Sequence, residues 1–165
     1  TYDYPRADVK YNRYFLLRER PDGSGRHTLM YSTQFGVTGA QTPIFENYFA
    51  GGFSTLRGFD FRGASPVQGG VRVGGEFMWI NTVEYLFPLT ADDMLKGVVF
   101  CDFGTVEEQV EINREAFRVA PGFGVRVQIP RMGNGAPLAF DFAFPVLTED
   151  TDDERIFSFF MGFLR

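Results

Sequence analysis

Phe117-Arg118-Val119-Ala120-Pro121-Gly122-Phe123-Gly124-Val125-Arg126-Val127-Gln128-Ile129 decides the fold class of this chain. Phe117, Val119, Pro121, Phe123, Val125, Val127 and Ile129 fall on one face of an extended backbone. Arg118, Ala120, Gly122, Gly124, Arg126 and Gln128 fall on the other. Alternation at period two is the signature of a strand with two different surroundings. At about 3.3 Å per residue the stretch reaches roughly 43 Å, and a tilt near 40° leaves about 33 Å of height. That is enough to cross an outer-membrane apolar band of about 25 Å. Strands of soluble sandwiches are mostly about 5–6 residues long.

The next two segments repeat the pattern. Leu138, Phe140, Phe142 and Phe144 oppose Ala139, Asp141 and Ala143. Phe157, Phe159, Met161 and Phe163 oppose Ser158, Phe160, Gly162 and Leu164. Phenylalanine at every second position along successive strands makes a face suited to lipid. A soluble β-sandwich also alternates; in that reading these rings form a dry core and Arg118, Arg126 and Asp141 are solvated. Composition favours the membrane. Of 165 residues, 20 are Phe and 19 are Gly, yet the chain has no run of 18 apolar residues to make a transmembrane helix. Mean hydropathy is only −0.13. Dispersed aromatics among small and polar residues fit an all-β, antiparallel transmembrane barrel. A net charge of −5 argues against a nucleic-acid partner.

Seven strand-like segments are expected, near 7–19, 26–38, 71–87, 95–105, 117–129, 137–146 and 155–164. The connections Pro21–Gly25, Pro88–Asp93 and Arg131–Ala136 are short, and those near 39–70, 106–116 and 147–154 are long. Barrels keep short turns on the periplasmic side and long loops outside, which puts the C-terminus, Arg165, in the periplasm. Seven is an odd count, and open edges are costly in lipid. With no signal peptide and no initiating methionine, residues 1–165 read as the C-terminal portion of a larger barrel, and the first and last segments as two edges paired on one side only. The alternative is that Thr1–Pro5 supplies part of an eighth strand.

The segment 39–70 breaks the alternation. It carries Phe45, Tyr48, Phe49, Phe53, Phe59 and Phe61 around Gly51-Gly52-Phe53-Ser54-Thr55-Leu56-Arg57-Gly58-Phe59. So much aromatic area is poorly suited to a solvated loop. Glycines Gly51 and Gly52 allow close backbone approach, and the loop is expected to fold into the barrel. Two carboxylates await its arginine. In Asn81-Thr82-Val83-Glu84-Tyr85-Leu86-Phe87, the lipid-facing Val83, Tyr85 and Phe87 turn Glu84 inward. Asp102, amid apolar neighbours, cannot face hydrocarbon cheaply. Arg57 delivered by the loop could bind both, its planar fork matching carboxylates. Alternatively, the two acids meet lumen water or Arg118 and Arg126.

No catalytic constellation, metal set or cofactor motif emerges. His27 is the only histidine and the single Cys101 forms no disulfide framework. Gly69-Gly70 and Gly74-Gly75 open no helix and are not a phosphate loop; they read as a strand kink or bulge. Asp92-Asp93 and the acids of 150–154 lack EF-hand spacing and read as solvated loops.

The string Phe49-Ala50-Gly51-Gly52-Phe53-Ser54-Thr55-Leu56-Arg57-Gly58-Phe59 resembles the (V/L)RG(F/Y) loop of the BamA-type outer-membrane assembly and translocation superfamily. Four further stretches are similar, in the family's order. They are Gly74-Gly75 with Thr82-Val83-Glu84-Tyr85; Asp102-Phe103-Gly104-Thr105-Val106; Pro121-Gly122-Phe123-Gly124-Val125-Arg126; and Pro137-Leu138-Ala139-Phe140-Asp141-Phe142-Ala143-Phe144-Pro145. The resemblance runs from about Phe45 onward. It implies a sixteen-stranded barrel in the bacterial outer membrane, preceded by periplasmic POTRA domains, with a weak lateral seam between last and first strands. It also implies that Leu56, Arg57, Gly58 and Phe59 form the loop motif and that Arg57 packs against Glu84 and Asp102 inside the barrel. Phe157, Phe159, Gly162 and Phe163 would lie in the closing strand. The implied activity is non-enzymatic assembly of outer-membrane proteins, with secretion of partner proteins or a passive channel as alternatives. Implied partners are unfolded outer-membrane proteins, outer-membrane lipids, accessory assembly lipoproteins, and the N-terminal barrel strands and POTRA domains. The family usually ends on an aromatic residue, whereas this chain ends Gly162-Phe163-Leu164-Arg165.

Overall fold

Long alternating segments with short turns between them pair with their sequence neighbours, and the result is an antiparallel meander. The computed structural model describes residues 3–40, 42–113, 115–128 and 137–162. Seven strands form one sheet: β1 (Arg6–Arg18), β2 (His27–Thr38), β6 (Phe77–Pro88), β7 (Leu95–Glu107), β8 (Arg118–Gln128), β9 (Pro137–Ala143) and β11 (Phe157–Met161). The four remaining strands have two residues each: β3 (Gly58–Phe59), β4 (Val67–Gln68), β5 (Val71–Arg72) and β10 (Glu154–Arg155). The sheet order is β1-β2-β6-β7-β8-β9-β11. Every adjacent pair in it is antiparallel. Among the described residues β1 pairs only with β2 and β11 only with β9. The sheet is therefore open at both edges.

The register carries the alternation across the sheet. Phe123 lies opposite Phe142, and Phe142 opposite Phe157, with ring centroids 5.8 and 5.2 Å apart. Phe140 and Phe159 meet in the same way at 5.1 Å. Phe123, Phe142, Phe157 and Phe159 are all exposed on this outer face. On the inner face, Ile80, Val98, Phe100, Ala120 and Ala143 are buried beneath Tyr48, Leu56 and Phe59 of the segment joining β2 to β6. The core of the chain is thus a loop packed on one side of a sheet, not a second sheet. That arrangement removes the sandwich alternative.

Several expectations need correction. The third strand begins at Phe77, not near 71, because Gly75 exchanges both backbone hydrogen bonds with Tyr48 of the loop, at 2.9 Å each. Gly69 and Gly70 (φ 58° and 79°) form the tight turn joining β4 to β5, and so do not kink a strand. The sixth strand stops at Ala143, after which Phe144 and Val146 still donate to the carbonyls of Pro121 and Val119 at 2.8 Å across Pro145. The last strand starts at Phe157 because Glu154 and Arg155 pair elsewhere. Phe45 and Phe61 are 70% and 74% exposed, so the loop buries only part of its aromatic area. The expected turn at Arg131–Ala136, the strand position of Ile129 and the closing-strand position of Phe163 lie outside the described residues.

Candidate functional site: an arginine anchored on the inner face

The segment between β2 and β6 bends back through glycines. Gly51 has φ 118°, and a side chain there would collide with the backbone of Asp60 and Gly63. Local hydrogen bonds close the turn. Gly51 N–H donates to Thr55 Oγ1 at 2.9 Å and Thr55 Oγ1 donates back to Gly51 O at 3.0 Å. Gly52 N–H donates to Phe59 O at 3.0 Å. Ser65 ties the neck, accepting from Ala50 N–H and donating to Ala50 O. Leu56 and Phe59 are fully buried on either side of Arg57 and press the turn onto the sheet.

Arg57 itself is 2% exposed. Its Nε donates to Asp102 Oδ2 at 2.7 Å and its Nη2 to Asp102 Oδ1 at 2.9 Å. The backbone N–H of Arg57 adds a third bond to Asp102 Oδ2 at 3.0 Å. Nη1 donates to Glu84 Oε2 at 2.9 Å and to Asp141 Oδ2 at 3.0 Å. The guanidinium carbon lies 3.4 Å from the centroid of the Phe100 ring, a stacked cation–π contact. Burial opposes the charge of Arg57, but Asp102, then Glu84 and Asp141, outweigh it and hold its pKa above the ordinary arginine value. The Arg57 cation is permanent.

The sheet register explains why these groups meet. Thr82, Asp102 and Ala120 lie side by side on β6, β7 and β8, and Thr82 Oγ1 donates to Asp102 Oδ1 at 2.8 Å. In the next row Glu84, Phe100 and Gly122 are adjacent. A side chain at Gly122 would overlap the Phe100 ring, so this glycine lets the ring lie flat beneath Arg57. Gly124 opposes Asp141, and a Cβ there would strike the Asp141 carboxylate. The Pro121-Gly122-Phe123-Gly124 stretch therefore clears space for both the ring and the acid.

Arg126 completes the cluster. It forms a two-pronged pair with Asp141, through Nη1 and Nη2, and its Nη2 lies 3.7 Å from Glu84 Oε2. Two arginines and three carboxylates thus share one buried network. A cavity of about 150 Å³ beside it is lined by Tyr14, Met30, Phe53, Glu84, Leu86 and Arg126. The arrangement has no nucleophile paired with a base. Its chemistry is that of a fixed electrostatic anchor.

Both carboxylates named from the sequence, Glu84 and Asp102, meet Arg57. Gly58, at φ 95°, begins β3 with its backbone against Ala120 and Pro145. Phe157 and Phe159 face outward on β11, and Gly162 follows that strand. The sequence reading missed Asp141 as a member of the network and gave Arg126 only as an alternative partner of the two acids, whereas it reaches Glu84 alongside Arg57. The signal was present, since Asp141 and Arg126 both lie on the inward side of alternating strands beside glycines. Arg118, the other alternative partner of the two acids, pairs elsewhere: it is 1% exposed and grips the loop before β11. Arg118 Nε and Nη2 donate to Asp152, and Nη2 donates to Glu149 at 3.0 Å. The acids read as solvated are in use: Asp152 holds Arg118, and Asp93 Oδ2 accepts from Gly25 N–H at 2.8 Å. His27 lies against Tyr85, its Nδ1 2.7 Å from the phenol oxygen.

Residues 1–163 match the Omp85 superfamily domain. The chain belongs to the Omp85 superfamily. It is 33% identical over 127 residues to the outer membrane protein assembly factor BamA of Nitratidesulfovibrio vulgaris, covering 73% of this chain and 15% of that protein. It is 29% identical over 116 residues to a SAM50-like protein of Drosophila melanogaster, covering 68% of this chain and 26% of that one. The fold is similar to the crystal structure of BamA from Haemophilus ducreyi lacking POTRA domains 1–3. That match has a TM-score of 0.73 at 20% identity and covers 94% of this chain and 34% of the other. The all-β antiparallel sheet is accordingly that of a BamA-like barrel. The chain spans between about one seventh and one third of the lengths of these relatives.

Proposed function

We propose that this chain is the C-terminal barrel wall of a factor that inserts and assembles outer-membrane proteins. The observation that carries the reading is the open edge of β11 beside an inner-face loop locked by Arg57. An incoming substrate strand would pair by β-augmentation at a free strand edge, exchanging backbone hydrogen bonds without any bond being made or broken. The membrane beside a short strand would be easier to deform; β11 has five residues and β7 thirteen. The 39–70 loop would lie in the lumen and keep the wall in a competent shape. The setting is the bacterial outer membrane with the C-terminus in the periplasm. Upstream strands would complete a sixteen-stranded barrel, with POTRA domains and assembly lipoproteins as partners. Family membership and the named assembly factor among its relatives support this reading over a secretion pore or a passive channel.

The test is reconstitution of the full-length protein in lipid vesicles with an unfolded outer-membrane protein as substrate. The protein should accelerate substrate folding. A cysteine placed at Ser158 in β11 should cross-link to a strand of the arriving substrate. Failure to accelerate folding, together with a large, stable, ion-selective conductance, would favour the channel.

A further inference from the structure

β11 is weakly held by the sheet. It has five residues and, among the described ones, a single neighbour, β9, with five paired positions. Short strands with one partner lie at the low-stability end of a fold. The 39–70 loop supplies what the sheet does not, at two places.

The first place is the entrance to the strand. β10, one residue before β11, pairs with β3 of the loop through Glu154 with Phe59 and Arg155 with Gly58. Asp60 N–H donates to Asp153 O at 2.8 Å and Asp153 N–H donates to Gly63 O at 3.0 Å. Arg72 holds the Asp153 carboxylate at 2.6 Å. The Arg155–Asp60 pair at 3.2 Å is largely exposed and contributes little. The second place is the inner side of the strand itself. Phe160, an inward residue of β11, stacks on Phe53 with centroids 4.6 Å apart and planes only 6° from parallel. Phe53 belongs to the same closed turn as Arg57, four residues before it.

We propose that Phe53 and Phe160 are positioning residues: through their stack the Arg57 anchor sets the place and the rigidity of the closing strand, and so the presentation of its free edge. The network on β6, β7 and β9 fixes the turn, the turn fixes Phe53, and Phe53 fixes β11 from inside. The consequence for function rests on the reading that this free edge exchanges strands with substrate.

The experiment is amide hydrogen exchange on the full-length protein in lipid vesicles, followed at 157–161 and at β6–β8. Phe53→Ala and Phe160→Ala should each speed exchange at 157–161 by on the order of tenfold while β6–β8 keep wild-type protection. Phe53→Tyr, which keeps a stacking ring, should restore wild-type exchange. If Phe53→Ala does not assemble, Phe53→Leu should show the same local pattern in smaller degree. Unchanged exchange at 157–161, or an equal rise throughout β6–β8, overturns the proposal. The same variants are scored for substrate folding. Faster local exchange with unaltered folding activity keeps the positioning role and overturns the strand-exchange reading.

Discussion

Arg57 grips Asp102 side-on: Nε and Nη2 each meet one carboxylate oxygen, at 2.7 and 2.9 Å, and the backbone N–H of Arg57 reaches the same group. Three bonds from one residue to one carboxylate fix the loop in position and in rotation. A lysine has a single point of donation and would leave that rotation free. With Glu84 and Asp141 on the remaining nitrogen, the side chain ties β6, β7 and β9 to one loop residue.

Arg57→Ala should therefore be destabilising and should impair assembly activity more than it reduces strand content. Breaking a buried pair from one side costs about 3–5 kcal/mol, because the partner charges lose their counterion. Here three carboxylates are left with Arg126. Arg57→Lys should recover only a fraction of the loss. Thermal unfolding in detergent, circular dichroism and substrate folding on the same samples check this. A lysine variant with wild-type stability would contradict the geometric account.

The pairing of Arg57 with Asp102 should be strongly coupled. In a double-mutant cycle with Asp102→Asn, the two substitutions should be far from additive, with an interaction of about 0.5–3 kcal/mol. The same cycle between Arg57 and Asp152, which share no contact, should come out near zero. Equal coupling in both cycles would mean that the substitutions act through general loosening.

Gly124→Ala tests the clearance below the network. A methyl group there would meet the Asp141 carboxylate and the Phe140 carbonyl oxygen, and Asp141 holds both Arg57 and Arg126. The expected cost is about 1–3 kcal/mol, the usual range for overpacking. Pairing Gly124→Ala with Asp141→Gly, which removes the obstructed carboxylate but not the Phe140 carbonyl, should relieve only part of the clash and should not restore assembly.

All seven strands of the sheet, though not all their ends, were legible because period-two alternation is a property of each segment alone. Glu84 and Asp102 were legible for the same reason, since an acid between lipid-facing neighbours must turn inward. Asp141 and Arg126 show the same alternation, but the contacts of Asp141 with Arg57 and Arg126 depend on register across β8 and β9, which no single segment reveals. The β3–β10 pairing joins residues almost a hundred positions apart and leaves only two-residue strands, too short for any periodicity. Gly69-Gly70 could equally bend a strand or turn a hairpin until the partner of Val71 and Arg72 is known.

Arg118→Ala should release the loop ahead of β11. It leaves Asp152, whose side chain is 1% exposed, without its cation. The rest of the sheet does not depend on that contact. Limited proteolysis should therefore cut within 147–156 while strand content is kept. Resistance equal to wild type would show that the loop is secured without Arg118.

The outward aromatic face makes the sharpest statement about the membrane. Phe142 and Phe159 are 39% and 54% exposed on the side away from Arg57, whereas Phe160 is turned inward onto Phe53. Trp79 is the natural tryptophan and must first be replaced by Phe. In that background single tryptophans at 142, 159 and 160 report on three places a few ångströms apart. In vesicles containing brominated lipids, tryptophans at 142 and 159 should be strongly quenched and have blue-shifted emission, because their rings lie among acyl chains. A tryptophan at 160 should be far less quenched, although it neighbours 159 in the chain, because the strand places consecutive side chains on opposite faces. Equal quenching at 159 and 160 would mean that β11 does not hold its orientation in lipid. Absence of quenching at 142 and 159 would mean that this aromatic face is covered by protein.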